Sequence, residues 1–156
     1  MKTKNMKGDD VLFEVRKLCK SFSFMDLVMP PMGGKPTIVA VSEEGKHLAD
    51  YIGRKYKLDV KYLNTKTDEI DALMPTKKVT IEFNKDLLDE PSKLLLVDSV
   101  YRGGTIMKAL QRLFPNSAPV VLVKTNPNYK GVYADYVAQE LKLTFDWSQV
   151  DKEVFS

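Results

Sequence analysis

Between an apolar run and an amphipathic segment, residues 98–105 read Asp-Ser-Val-Tyr-Arg-Gly-Gly-Thr. Each residue type here has a use toward a phosphorylated ligand. A turn that opens a helix presents backbone N–H groups without intrahelical partners, and the helix dipole adds positive potential there. Gly103 and Gly104 let an anion approach the backbone closely, and Thr105 adds a hydroxyl donor. Arg102 can grip a phosphate through two parallel hydrogen bonds. The turn therefore reads as a cradle for a phosphate monoester. Its spacing fits neither the P-loop nor the GxGxxG dinucleotide fingerprint. Read for geometry alone, the same glycines make a tight strand-to-helix connection.

A second chemical cluster, Ser42-Glu43-Glu44-Gly45-Lys46, follows the β-branched run TIVAV at 37–41. The elements that must position these clusters alternate along the chain. Apolar residues Val11, Leu12, Val15, Leu18, Cys19 and Phe22 recur at helical spacing, with Asp9 or Asp10 placed to cap a first helix. The turn cluster MPPMGGKP at 29–36 ends it. Strands are expected at 37–41, 59–63, 78–83, 93–99, 119–125 and 143–147, and helices at 46–57 and 104–114. Residues 64–77 are polar and irregular and read as a mobile loop. Continuous apolar strands alternating with helices predict an α/β fold, a single-domain parallel sheet flanked by helices on both faces. Residues 1–8 are expected to be loose, and 9–156 to form the domain. In such sheets ligands bind at the carboxyl ends of the strands, where the strand order reverses. Residues 42–46 and 98–105 both fall at such ends.

With 156 residues, 44% hydrophobic and 29% charged, the chain suits one well-packed globular domain. No apolar run approaches bilayer length, and the lysines of MKTKNMK are not followed by a signal-peptide core. The single cysteine, Cys19, excludes an internal disulfide, so a reducing, cytoplasmic setting is expected. A dispersed net charge of +3 tolerates an anionic small molecule and argues against nucleic acid as a partner. One His and one Cys cannot make a zinc site of ordinary ligand count.

The strand, acid, turn and helix of LLLVDSVYRGGTIMKAL resemble the phosphoribosyl-diphosphate (PRPP) motif of the type I phosphoribosyltransferases, roughly V-D-D-V-x-x-T-G-x-T. PTIVAVSEEGKHLADYIGRK resembles that family's pyrophosphate loop and following helix, and residues 64–82 fall where it keeps a flexible hood. VVLVKTNP and ADYVAQELKLTFDW resemble the base pocket of its 6-oxopurine (hypoxanthine, xanthine, guanine) branch. The resemblance implies transfer of phosphoribose from PRPP to a purine, a step of purine salvage in nucleotide metabolism, with Mg²⁺ as cofactor. It implies that Asp98 and Ser99 face the ribose hydroxyls, with Asp98 near the magnesium, and that Arg102, Gly103, Gly104 and Thr105 bind the 5′-phosphate. Asp98 and Arg102 are then the candidate catalytic residues, and Ser42, Glu43, Glu44, Gly45 and Lys46 form the pyrophosphate loop. Lys124 would donate to the exocyclic oxygen of the base, with Tyr136, Val137 and Trp147 lining its pocket. A homo-oligomer, dimer or tetramer, is also implied by resemblance, with PRPP and nucleobase as small-molecule partners.

This chain departs from the family pattern at the reaction centre. Ser99 stands where the family has a second acid; losing a charged acceptor costs about 1.5–3 kcal/mol for that contact. The loop after it is one residue short, and Arg102 stands near the place of an aspartate that accepts the purine proton. Arginine cannot accept a proton. Glu43 and Glu44 put carboxylates where a diphosphate would lie, and Lys142 replaces a stacking aromatic. Two further readings therefore accompany the transferase. In one, the same scaffold acts as a hydrolase or lyase on another phosphorylated pentose or nucleotide. In the other, it is a non-catalytic nucleotide sensor.

Overall fold

The structure is a computed structural model that describes residues 2–30, 34–69, 77–102, 105–129, 131–138 and 140–155. Its centre is a five-stranded parallel sheet built from β2 (Thr37–Ala40), β3 (Val60–Tyr62), β6 (Leu94–Tyr101), β7 (Ser117–Lys124) and β8 (Val132–Tyr136), in the order β3-β2-β6-β7-β8. The middle strands are near-continuous aliphatic runs because both of their faces are covered. Leu95, Val97, Val120 and Leu122 face one core, which is filled from α1 (Gly8–Cys19), α2 (Phe22–Val28), α3 (Gly45–Tyr56) and α5 (Ser148–Phe155). Leu94, Leu96 and Val121 face the other, with Met107 and Leu110 of α4 (Thr105–Leu113). Helix α3 carries the chain from β2 to β3, and α4 carries it the other way from β6 to β7. The strand order thus reverses between β2 and β6, the place where such sheets bind ligands.

Several elements differ from expectation. Residues 3–6 are not loose: β1 (Thr3–Met6) pairs in parallel with β9 (Lys142–Phe145), and Met6 is buried. The first helix ends at Cys19, and a second begins after Ser21, whose hydroxyl accepts from the Phe24 N–H as an N-cap. Phe22, counted in the first helix by its spacing, opens α2 and is 89% exposed. Lys7, rather than Asp9 or Asp10, stands at the N-cap position of α1 and makes no side-chain cap bond; both acids lie in the first turn, where they complement the dipole. The polar stretch expected as a loop is half of an antiparallel hairpin, β4 (Asn64–Glu69) with β5 (Lys77–Glu82); residues 70–76 lie outside the described residues. Thr65 anchors the base of this hairpin by donating to the Val41 carbonyl at 3.0 Å. Ile81 and Phe83 pack it onto the α4 side. Among the described residues no helix is long and apolar enough to cross a membrane.

Candidate active site

The segments following β2 and β6 interlock. The Ser42 hydroxyl donates to Asp98 Oδ1 at 2.8 Å and accepts from the Gly45 N–H at 3.1 Å. The Ser99 N–H donates to the same Asp98 oxygen at 2.8 Å. Side-chain alternation along β6 breaks at this point: Val100 packs with the core of Leu95 and Val97, and Tyr101 with that of Leu94 and Leu96. Gly45 is dictated by proximity, since a Cβ there would lie 2.8 Å from the Val97 carbonyl oxygen and 3.1 Å from Asp98 Cα. Burial pushes the Asp98 carboxyl above its ordinary range; the bonds from Ser42 and Ser99 oppose this, and the nearby charge of Glu44 adds to it.

The two glutamates of the loop have different surroundings. Glu43 is exposed and pairs with Lys46 at 2.8 Å, so both side chains are engaged with each other. Glu44 borders a cleft of about 470 Å³, with Asp98, Ser99, Val100 and Arg102 on the β6 side and Leu143 to Phe145 of β9 opposite. Its carboxylate is held by Trp147, whose indole N–H donates to Oε1 at 3.0 Å. Trp147 is buried and stacks on His47 with ring centroids 5.2 Å apart and planes 5° from parallel. His47 in turn lies 3.0 Å from an Asp151 carboxylate oxygen through Nδ1. Trp147, expected along the base, holds Glu44 of the loop after β2, and it stacks on His47, to which no role was assigned from the sequence.

Arg102 is exposed on the cleft wall and its guanidinium donates to the Leu141 carbonyl at 3.4 Å. Thr105 opens α4 and is exposed; Gly103 and Gly104 lie outside the described residues. Lys124 ends β7 and is buried; its amine takes up the Tyr133 hydroxyl at 2.5 Å and the Pro127 carbonyl at 3.5 Å. Tyr136 stands beside it in register on β8 and is half exposed. Val137 is buried and its N–H is taken by the Lys124 carbonyl at 2.9 Å. The fold brings Asp98, Ser99, Glu44 and Arg102 to one cleft; Lys124 and Trp147 are not among the residues lining it.

The whole arrangement has counterparts among solved structures. A purine phosphoribosyltransferase from Pyrococcus horikoshii matches with a TM-score of 0.68 at 16% identity, over 94% of this chain and 95% of that one. The xanthine-guanine-hypoxanthine phosphoribosyltransferase of Helicobacter pylori matches with a TM-score of 0.65 at 20% identity, over 97% and 98%. The fold is that of the type I phosphoribosyltransferases. A hypothetical protein from Neisseria gonorrhoeae with bound ppGpp shares it, with a TM-score of 0.71 at 14% identity over 97% of this chain and 94% of that one. No family model and no curated protein matches the sequence, so the likeness rests on structure.

Within this phosphoribosyltransferase fold, the wall formed by Leu143 to Phe145 and the Glu44–Trp147–His47–Asp151 series escaped sequence reasoning. Glu44 and Trp147 are 103 positions apart, and no local periodicity relates them. No signal in the sequence joins Trp147 to His47.

Proposed function

We propose that the chain is a phosphoribosyltransferase that moves the phosphoribosyl group of PRPP to a nucleobase of purine type and releases pyrophosphate. The observation that carries this reading is the Asp98 carboxylate at the switch point, bonded to Ser42 of the pyrophosphate loop and opening onto the cleft. In this reading Asp98 and Ser99 orient the ribose hydroxyls. Residues 102–105 hold the 5′-phosphate, and the 42–46 backbone lies along the diphosphate. Lys124 reads the base oxygen while Tyr136 and the Val137 carbonyl line the base. The hairpin β4–β5, anchored through Thr65, serves as the hood that excludes water. Transfer passes through a cationic sugar, so fixed geometry and charge matter more than a protein nucleophile.

Among the described residues no group of three or more His, Cys, Asp or Glu could hold a metal by itself. The donor set fits a cation shared with a diphosphate instead. Asp98 is a buried carboxylate whose charged form is disfavoured, beside a second carboxylate at Glu44, and a divalent ion would relieve both. Asp98 and Glu44 would hold Mg²⁺, which when bound neutralises the leaving diphosphate. The protein acts in the cytoplasm as a dimer or tetramer in this reading, an extension by resemblance alone.

The test is incubation with PRPP, Mg²⁺ and a panel of nucleobases, following nucleotide and pyrophosphate. Nucleotide formation that is lost in Asp98→Asn supports the proposal; absence of both reaction and calorimetric binding of PRPP refutes it. Glu44 in the cleft favours one second reading, a hydrolase, lyase or sensor acting on a phosphorylated pentose or nucleotide. The nucleotide bound by the Neisseria neighbour accords with the sensor version. PRPP consumed without any base would support the hydrolytic version.

A further inference from the structure

Lys124 holds a buried ammonium, and none of the ion pairs among the described residues involves it. A buried charge needs compensation. Here most of it comes from one residue: the amine is 2.5 Å from the Tyr133 hydroxyl and 3.7 Å from the centroid of the Tyr133 ring. The Pro127 carbonyl, at 3.5 Å, sits at the limit of a hydrogen bond. Tyr133 is in register with Val121, whereas Lys124 is in register with Tyr136, so the amine is drawn toward a residue set back along β8.

Tyr133 is held in place by its neighbours. Its ring leans on Tyr129 at 6.3 Å, and Tyr129 stacks on Tyr101 with centroids 3.6 Å apart. Tyr129 is itself wedged against Gly131, where a Cβ would come within 2.5 Å of its ring. The lysine, on a flexible four-carbon stem, is the partner able to move.

We propose that Tyr133 is a positioning and specificity-determining residue that holds Lys124 back until a ligand oxygen takes its place. This rests on the reading in which Lys124 donates to the base oxygen. A 6-oxo group offers the ammonium an acceptor in exchange for the tyrosine. A 6-amino group offers no lone pair suited to it, so Lys124 stays on Tyr133; breaking the aromatic contact is a cost borne by oxo bases alone, and it narrows the preference for oxo over amino bases.

The experiment uses the full chain with lysine labelled by ¹³C at Cε, with IMP and AMP as probes that differ at position 6 of the purine. In the free protein the Lys124 ε-methylene is expected upfield from the Tyr133 ring current, and Tyr133→Leu abolishes the shift. Saturating IMP returns the signal to its ordinary position; AMP does not. Calorimetry is expected to give on the order of tenfold tighter IMP binding in Tyr133→Leu, with AMP unchanged. A smaller gain is expected in Tyr133→Phe, which keeps the ring, and none when Lys124→Met accompanies Tyr133→Leu. The proposal is overturned if IMP moves other resonances while the Lys124 methylene stays upfield, or if both Tyr133 variants bind IMP no more tightly. If the methylene is upfield in the free protein and IMP moves no resonance at all, the purine reading itself falls and takes this proposal with it.

Discussion

Replacing Glu44 by Gln tests most directly the proposal that a diphosphate lies beside its loop. The amide keeps an oxygen for the Trp147 N–H at 3.0 Å and removes only the charge. A carboxylate about 5 Å from a diphosphate oxygen costs about 3 kcal/mol at an effective dielectric near 20. Glu44 is exposed, so screening at physiological salt reduces this to about 1–2 kcal/mol. That is roughly a 5- to 30-fold difference in affinity. Calorimetric titration with inorganic pyrophosphate in chelator is therefore expected to show tighter binding by Glu44→Gln than by the wild type. Adding Mg²⁺ should shrink or reverse the gain, because the wild-type carboxylate then meets a cation. Glu43→Gln is the control and should change little, since Glu43 is already paired with Lys46. Equal affinity of Glu44→Gln and wild type without metal would refute the reasoning and place the diphosphate elsewhere.

Three further outcomes follow from the same geometry. Asp98→Asn should abolish PRPP binding yet raise the thermal midpoint at neutral pH, because the native carboxyl lies above its unfolded value and its charged form is disfavoured. The gain should fade as pH falls through the folded and then the unfolded value, where the wild-type group is neutral in both states; a midpoint that drops at neutral pH would sink this account. Gly45→Ala forces a Cβ to 2.8 Å from the Val97 carbonyl oxygen, and denaturant titration should show a loss of about 1–3 kcal/mol. Deleting residues 1–6 removes the partner strand of β9 and the buried Met6 side chain, worth about 1.5–3 kcal/mol. Nucleotide binding should weaken with it, because β9 forms a wall of the cleft.

The parts of the fold that were legible in the sequence are those where burial is two-sided. TIVA, LLLV and PVVLV have no other stable use than central parallel strands, and the turns after them had to meet at one sheet edge. Strand β1 was illegible because Thr-Lys-Asn-Met carries no alternation and is stabilised by pairing with a segment more than a hundred positions away. The α1–α2 break was hidden because apolar spacing continues across Ser21, and only the cap geometry shows where the helix restarts. At the site, the motif gave Asp98 and the loop after β2. The opposite fates of Glu43 and Glu44 depend on contacts with Lys46 and Trp147 that spacing does not encode.

Trp147 is the sole tryptophan of the chain. Its N–H ends on the carboxylate that borders the cleft, and its ring lies flat on an imidazole. The protein therefore carries its own optical probe: intrinsic emission should respond when a ligand in the cleft displaces Glu44. Ligand occupancy of the cleft can be followed by fluorescence without any label, and with no second indole to dilute the signal.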